Sequence, residues 1–587
     1  MPTNKRWVIL SESRIKNQEL RGDALVTVLL KNRGLEKKKD VDTFLSPKLT
    51  DVTAKSVGID LDQQKKALKR IKKATVDQEQ IVVFGDYDVD GITASAILWE
   101  TLHELGAKCL PYIPNRIDEG YGLSIKGITN LRKQIPNTRL IITVDNGIVA
   151  HKAVDFANEQ GIDVIITDHH TVGEIEPKAH AIVHTTNLCG AGVAYLLSKE
   201  LRQMSFRAKQ SEAEKSHTTG KPERSVVRDP STSLGMTLDD DRHLELAALG
   251  TVADLVPLTG ANRTIVMYGL EKLRTTTRIG LVALFTQSGI KQDAIGVYDI
   301  GYIIGPRLNA AGRLASAMDS LRLLCTKDKS RAVQLASQLE LINKERQFLL
   351  KEAAAHAIEG IKNQESGIKN ILIIGHETYQ EGVIGLIAGK LVEAFYRPAI
   401  VLSLGEVTSK ASVRSVSGFD IVKFLRSHHE HFLTLGGHPM AAGFSIETAK
   451  IAQLQEILET SASELLSTDI LTKSLKIDLE LPFAVLDEEL YQSLQQMAPF
   501  GMGNAEPVFA TRGVKIENIR LLGKESNHLK LMVSQDGKSF EAIAFGMGEL
   551  SAELKVGDKV DVAYVLDENT WNGNTKLQLK VKDIQNH

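Results

Sequence analysis

Three short apolar runs, each passing straight into acidic residues, restrict this chain more than any other feature. They read IVVFGDYDVDG at 81–91, LIITVDNG at 140–147 and DVIITDHH at 163–170. A run of four or five apolar residues without polar alternation is the pattern of a strand covered on both faces, as in a parallel sheet. Amphipathic stretches alternate with the runs: LDQQKKALKRIKKA precedes the first, and a helix from Ile92 to His103 follows it. The expectation is an α/β fold with a doubly wound parallel sheet. In such a sheet the carboxyl ends of the strands share one edge, where ligands bind.

The first run also imitates another motif. Asp86, Asp88, Asp90 and Gly91 begin as an EF-hand calcium loop begins, and such a loop needs a bidentate Glu at its twelfth position. That position is Ile97, and the lead-in is a strand rather than a helix. The calcium reading fails on both counts.

A fourth acidic strand end is expected at VAD, 252–254. One strand-end Asp is ordinarily a cap or a turn residue. Four such ends, one with two adjacent histidines, crowd at least five carboxylates at one edge. Like charges that close repel strongly unless cations neutralise them. Oxygen ligands with one or two imidazoles suit Mn²⁺ or Mg²⁺ better than a thiol-seeking metal, although zinc accepts the same ligands. A two-metal site of this kind activates water and stabilises the leaving oxygen of a phosphoester. No GxxxxGK[ST] loop, complete GxGxxG or GxSxG elbow offers a rival chemistry.

At 587 residues the chain needs several cores, and its 71 basic and 73 acidic residues rule out an overall polycation. Any nucleic-acid contact must then be a local basic groove. The start, MPTNKRWVILSES, lacks a signal peptide's apolar stretch, and no run approaches a membrane span. Cys109, Cys189 and Cys325 form no CxxC pair, so a reducing cytoplasm is expected.

The organisation expected is a helical lead over 1–60, a catalytic α/β domain over 61–330, a connecting helix over 331–363, a second α/β domain over 364–505 and an OB-fold over 506–587. Residues 202–239 are polar and patternless, and read as a mobile surface insertion within the first domain.

GDYDVDGITA, VDNGI, TDHHT and GTVADLVPL resemble, in order, the four signature motifs of the DHH phosphoesterase superfamily. PRLNAAGRL, the NKERQ helix, the SVRSVSGFD and GGHPMAAGFSI segments of a DHHA1-type domain, and PFGMGNAEPVF follow in the order of one branch, the RecJ single-strand-specific DNA exonucleases. The resemblance covers roughly residues 60 to 587, apart from the insertion. It implies that Asp88 and Asp90 bind two Mn²⁺ or Mg²⁺ ions, that Asp145 bridges them, that His169 is a ligand and that Asp254 completes the second site. Asp168 would support the site from behind, and His170 would lie against the substrate phosphate or the metal; a carboxylate beside a ligating His can fix its tautomer. Other branches carry a ligating His where this chain has Phe84, so Asp86 is expected to supply the missing ligand or hold its water.

By the same resemblance Ser412 and Arg414 grip the terminal 5′ phosphate, with Arg116, Arg307, Asn309 and Arg313 assisting. Gly436 and Gly437 allow close backbone approach, and His438 contacts phosphate. Arginine's planar fork suits phosphate oxygens. In the β-module Arg520, Lys524 and Lys530 would line a groove for single-stranded backbone. Few aromatic residues are available there to stack, so that grip is expected to be mainly electrostatic. The reaction implied is 5′-to-3′ degradation of single-stranded DNA to 5′ mononucleotides, in repair and recombination. It would be carried out by a monomer working with a helicase and a single-strand-binding protein. The competing readings are a DHH phosphodiesterase of short oligonucleotides or cyclic dinucleotides, and a catalytically inactive scaffold that binds single strands.

Overall fold

The computed structural model describes residues 5–11, 22–115, 118–218, 241–364, 367–571 and 573–587; Arg116 and the larger part of the expected insertion lie outside these. Two compact units result. One is Lys38–Lys344 with Ala498–Ala505, and the other is Met1–Lys37 with Glu345–Met497 and Glu506–His587.

The first unit is built on a five-stranded sheet in the order Cys109–Tyr112, Gln80–Phe84, Thr138–Val144, Asp163–Asp168 and Ala181–His184, parallel throughout. Gln80–Phe84 is buried at every position, as the unbroken apolar run requires. Side chains alternate between two cores. Ile81, Val83, Leu140 and Ile142 enter one, with Ile97 and Leu246; Val82, Phe84 and Ile141 enter the other, with Ile128 and Val154. Phe84 stacks on Tyr112 with ring centroids 5.3 Å apart, so the ring at this position is core rather than site. The strand Gln80–Phe84 has the next strand in sequence on one side and Thr138–Val144 on the other. The chain reverses direction across the sheet there, which opens a crevice above the strands' carboxyl ends.

Two expectations for this unit are corrected. VAD does not end a strand: Leu244–Ala253 is a helix, and Asp254 is its C-cap. Every residue from Leu244 to Val252 is buried, and an apolar run covered on all sides carries no period to separate helix from strand. The expected insertion also begins as regular structure, because the helix Gly190–Thr218 continues through its first part.

In the second unit, a five-stranded sheet has the order Thr434–His438, Ala441–Glu447, Thr408–Arg414, Ala399–Ser403 and Leu372–His376, and only its last two strands are parallel. The same unit contains a closed barrel. Phe509–Leu522, His528–Gln535, Lys538–Ala544, Asn574–Asn586 and Lys559–Trp571 pair in turn, and Phe509–Leu522 pairs again with Lys559–Trp571 to close the ring. Closure leaves no free edge. The short strand Leu479–Glu480 pairs with Phe509 and Ala510, so the β-module draws on residues before 506. The leading segment is not wholly helical: Arg6–Ile9 is a strand paired in parallel with Ser474–Ile477, and only from Lys38 onward does the lead belong to the first unit. One continuous helix, Lys329–Lys362, carries the chain from one unit into the other. Among the described residues no helix is long and apolar enough to cross a membrane.

Candidate metal centre

Asp88 is the N-cap of the helix Val89–Glu104, its Oδ1 accepting from the Gly91 N–H at 3.0 Å. That cap sets Asp90 in the helix's first turn. The Asp90 carboxylate accepts from two more N–H groups, Gly190 at 2.6 Å and Ala191 at 2.8 Å, where the helix Gly190–Thr218 opens. A carboxylate at a helix N-terminus is favoured by the dipole and by its unpaired N–H groups. Asp145 follows its strand directly with φ 63°, a left-handed conformation that Asp tolerates better than most residues. Gly190 lies so close that a Cβ there would stand 2.5 Å from that of Asp145. Any side chain at 190 would displace the carboxylate.

His169 faces three of these acids. Its Nε2 is 3.1 Å from Asp145 Oδ1, 3.6 Å from Asp254 Oδ2 and 3.7 Å from Asp90 Oδ2. Asp168 is wholly engaged behind it: Oδ1 accepts from the backbone N–H groups of His169 and His170 at 2.7 and 3.1 Å, and Oδ2 from Ile148 N–H at 2.9 Å. The same Oδ1 stands 2.7 Å from His170 Nδ1. The other ring nitrogen of His170 is 3.0 Å from the Tyr121 hydroxyl, a contact that sequence reasoning missed.

These environments push the acids apart. Burial first, and then the neighbouring Asp90, raises the carboxyls of Asp88, Asp145 and Asp254, the last to about 9. Burial would also raise Asp168, but the hydrogen bond from His170 and the backbone donors outweigh it and hold that carboxyl low. The same pairing overcomes burial to raise His170, whereas burial keeps His169 low. An imidazole held neutral and a set of carboxylates in want of positive charge are what a cation site presents in its absence.

The residues fit a divalent cation. Asp145 Oδ1 and His169 Nε2 are buried without a hydrogen-bond partner, which is costly unless a ligand uses them. Three groups place one ligand atom from each member within 4.8 Å of one another: Asp145 with His169 and His170, Asp90 with His169 and Asp254, and Asp86 with Asp88 and Asp145. Oxygen ligands about 2.1 Å from an octahedral ion lie about 3 to 4 Å apart, so only small adjustments separate these groups from ligation. Asp145 and His169 each belong to two of the three groups.

The other expected site residues are placed as follows. Asn309 Oδ1 accepts from the Val89 N–H at 3.0 Å, so its amide holds the metal loop's backbone beside Asp88. Arg307 is paired with Glu340 at 2.6 Å and donates to the Ile303 carbonyl. Arg313 lies half-buried on the same helix, Gly305–Leu314. In the second unit Ser412 is in register with Gly443 and then Gly436, and Arg414 with Ala441 and then His438. These positions share one face of the sheet; the alternate positions Val413, Ala442 and Phe444 are buried core. Arg414 Nη1 donates to Ser412 Oγ at 3.3 Å. Gly437 faces the other way, opposite Ala442, with φ 142°. On the barrel Arg520 is opposite Lys530, which is ion-paired to Glu541 at 2.9 Å, and Lys524 is exposed beyond the strand end.

Family models match in the same order as these elements: the DHH family N-terminal domain over residues 80–219, the DHHA1 domain over 368–465 and the RecJ OB domain over 477–583. The single-stranded-DNA-specific exonuclease RecJ of Bacillus subtilis (strain 168) is 32% identical over 598 residues, spanning 99% of this chain and 71% of that protein. Its counterpart in Salmonella typhimurium is 32% identical over 539 residues, spanning 88% and 89%. RecJ of Thermus thermophilus in complex with Mn²⁺ superposes with TM-score 0.80 at 28% identity, covering 100% of this chain and 80% of that one. Its complex with Mg²⁺ gives 0.74 at 27%, covering 100% and 79%. The chain belongs to the RecJ family, with its DHH, DHHA1 and OB domains in order.

Proposed function

We propose that this chain is a metal-dependent exonuclease that degrades single-stranded DNA from the 5′ end to 5′ mononucleotides. The observation that carries the reading is the cluster of Asp88, Asp90, Asp145, His169 and Asp254 at the sheet's crevice, with the buried Asp145 Oδ1 and His169 Nε2 lacking hydrogen-bond partners, in a chain of the RecJ family. Asp88, Asp90, Asp145, His169 and Asp254 hold two Mn²⁺ or Mg²⁺ ions in this reading. Asp86, wholly buried and grouped with Asp88 and Asp145, serves where Phe84 cannot. Two such ions supply an acidified water and a counter-charge for the leaving oxygen of the phosphodiester.

The chain's own groups do the rest. Asp168 accepts from His170 Nδ1 at 2.7 Å and so orients the ring that lies against the phosphate. Asn309 and the N–H donors to Asp90 hold the ligand loop still. In the second unit Ser412, Arg414, Gly436, Gly437 and His438 grip the 5′ phosphate; in the first unit Arg116, Arg307 and Arg313 attract the strand's phosphates. Arg520, Lys524 and Lys530 attract the strand's backbone to the barrel. In this reading the hydrolytic domain expected over 61–330 lies within the first unit, the phosphate-gripping domain is 368–465 and the strand-binding domain 477–583, with the helix Lys329–Lys362 leading out of the first unit. The work is done in the cytoplasm by a monomer, on strands opened by a helicase and coated by a single-strand-binding protein, in repair and recombination.

A 5′-phosphorylated single strand labelled at each end, incubated with Mn²⁺, Mg²⁺ or EDTA beside the same sequence as blunt duplex, tests the reading. Early release of the 5′-end mononucleotide from the single strand alone, stopped by EDTA and by Asp145→Ala, is the expected result. A strand bound but never shortened would make the chain a scaffold. For Asp86, a variant Asp86→Asn with unaltered metal stoichiometry and turnover would reduce it to a turn residue.

A further inference from the structure

Tyr298 and Tyr302 are left uncovered by the core. They are 67% and 72% exposed, and their rings stack on each other with centroids 4.9 Å apart and planes 24° apart. A single exposed tyrosine needs no explanation. Two that stack in solvent form a flat aromatic face, with nothing among the described residues of the first unit laid over it. The backbone beneath is also unusual: Ile300–Ile304 is a π-helical turn, a rare form concentrated at functional sites.

That turn leads directly into the helix Gly305–Leu314, which presses on the metal loop at two points. Asn309 accepts from the Val89 N–H, and a Cβ on Gly312 would collide with the Tyr87 carbonyl. Tyr298 and Tyr302 precede Asn309 and Arg313 on one unbroken helical run, Val297–Leu314. Seven residues from Tyr302 to Asn309 correspond to about 10 Å of helix. That distance spans about three nucleotides of a stacked strand.

Resting on the exonuclease reading above, we propose that Tyr298 and Tyr302 are a base-stacking platform for the single strand, about three nucleotides from the metal centre. Every base offers a π-face, so stacking grips a strand without regard to sequence. An enzyme that advances along arbitrary DNA needs this kind of hold beside its metals. It also supplies the aromatic contacts in which the β-module is poor.

The test compares the unsubstituted chain with the double variants Tyr298→Ala/Tyr302→Ala and Tyr298→Phe/Tyr302→Phe. Each is assayed with Mn²⁺ on a long 5′-phosphorylated oligothymidylate and on a 5′-phosphorylated dinucleotide, which is too short to reach the tyrosines. The alanine pair should raise KM on the long strand roughly ten- to hundredfold, with kcat little changed and a much smaller effect on the dinucleotide. The phenylalanine pair should restore the KM, because the ring and not the hydroxyl makes the contact. Equal effects on both substrates, an unchanged KM on the long strand, or a phenylalanine pair as weak as the alanine pair would overturn the platform. Should the unsubstituted chain cut neither substrate, the exonuclease reading fails by itself. Binding of the labelled oligothymidylate to the Asp145→Ala protein, with and without the tyrosine substitutions, then still decides the platform.

Discussion

The acidic centre and the polar face around Arg414 use a β-sheet in opposite ways. In the parallel sheet the chemical groups stand beyond the strand ends, on loops fixed by helix N-termini; in the mixed sheet they stand along one face, in mid-strand. The first is buried and held from many sides, with three backbone N–H groups on Asp168 and two on Asp90. The second is open, and sets one guanidinium beside a hydroxyl, Ser412, whose register neighbours are Gly443 and Gly436. Depth crowds charge until only a cation relieves it. An open face, in the reading proposed above, is a hold that a phosphate takes and gives up. Chemistry that must not move and binding that must let go thus have different architectures.

The sharpest attack on this contrast is Asp145→Ala. It should lower kcat on the order of a thousandfold or more and reduce bound Mn²⁺ measured by equilibrium dialysis. Retention of both would show that the crowded carboxylates are structural. Arg414→Ala should be milder, costing about ten- to hundredfold in kcat/KM on a 5′-phosphorylated end, the worth of a charge-assisted hydrogen bond. An unphosphorylated end should lose much less. Equal losses would deny that the face reads the phosphate.

Stability against pH separates the two regions next. In chelated protein, burial and the neighbouring Asp90 hold Asp254 protonated up to about 9 and also raise Asp88 and Asp145. The unfolded chain releases these protons near 4, so the folded form binds more of them in between. The contribution of Asp254 is complete below about 4 and is lost as pH rises toward about 9, on the order of 1 kcal/mol per pH unit, and Asp88 and Asp145 act in the same direction. Denaturant melts in EDTA should show that fall, and Mn²⁺ should flatten it. A flat profile in EDTA would mean the carboxylates are not under strain. The smallest effect is expected from Arg520→Ala on the barrel: a few-fold rise in KM and a salt slope reduced by about one.

The strand-end acids were legible because a parallel sheet forces consecutive apolar runs to deliver their successors to one edge. Asp254 reached that edge by a helix instead, and the fully buried run before it offered no period by which to tell. The grip of Gly190 and Ala191 on Asp90 was hidden for another reason: backbone N–H groups leave no mark in a sequence beyond a permissive glycine. The ion pair of Arg307 with Glu340, 33 residues away on another helix, was hidden as well, a pairing only the folded chain reveals. The strand Leu479–Glu480 is two residues long, too short for any alternation to show.

The pairing of Arg6–Ile9 with Ser474–Ile477 has a consequence for how the molecule is made. The four residues Arg6–Ile9 wait for a hydrogen-bonding partner synthesised 468 residues later, Arg6 being paired with Ser474. At about 5–20 residues per second the wait is about half a minute to a minute and a half. Throughout it a short strand carries an unpaired edge, the kind of template on which nascent chains misassociate. Brevity and the basic flank of Lys5 and Arg6 keep that edge a poor template until its partner arrives.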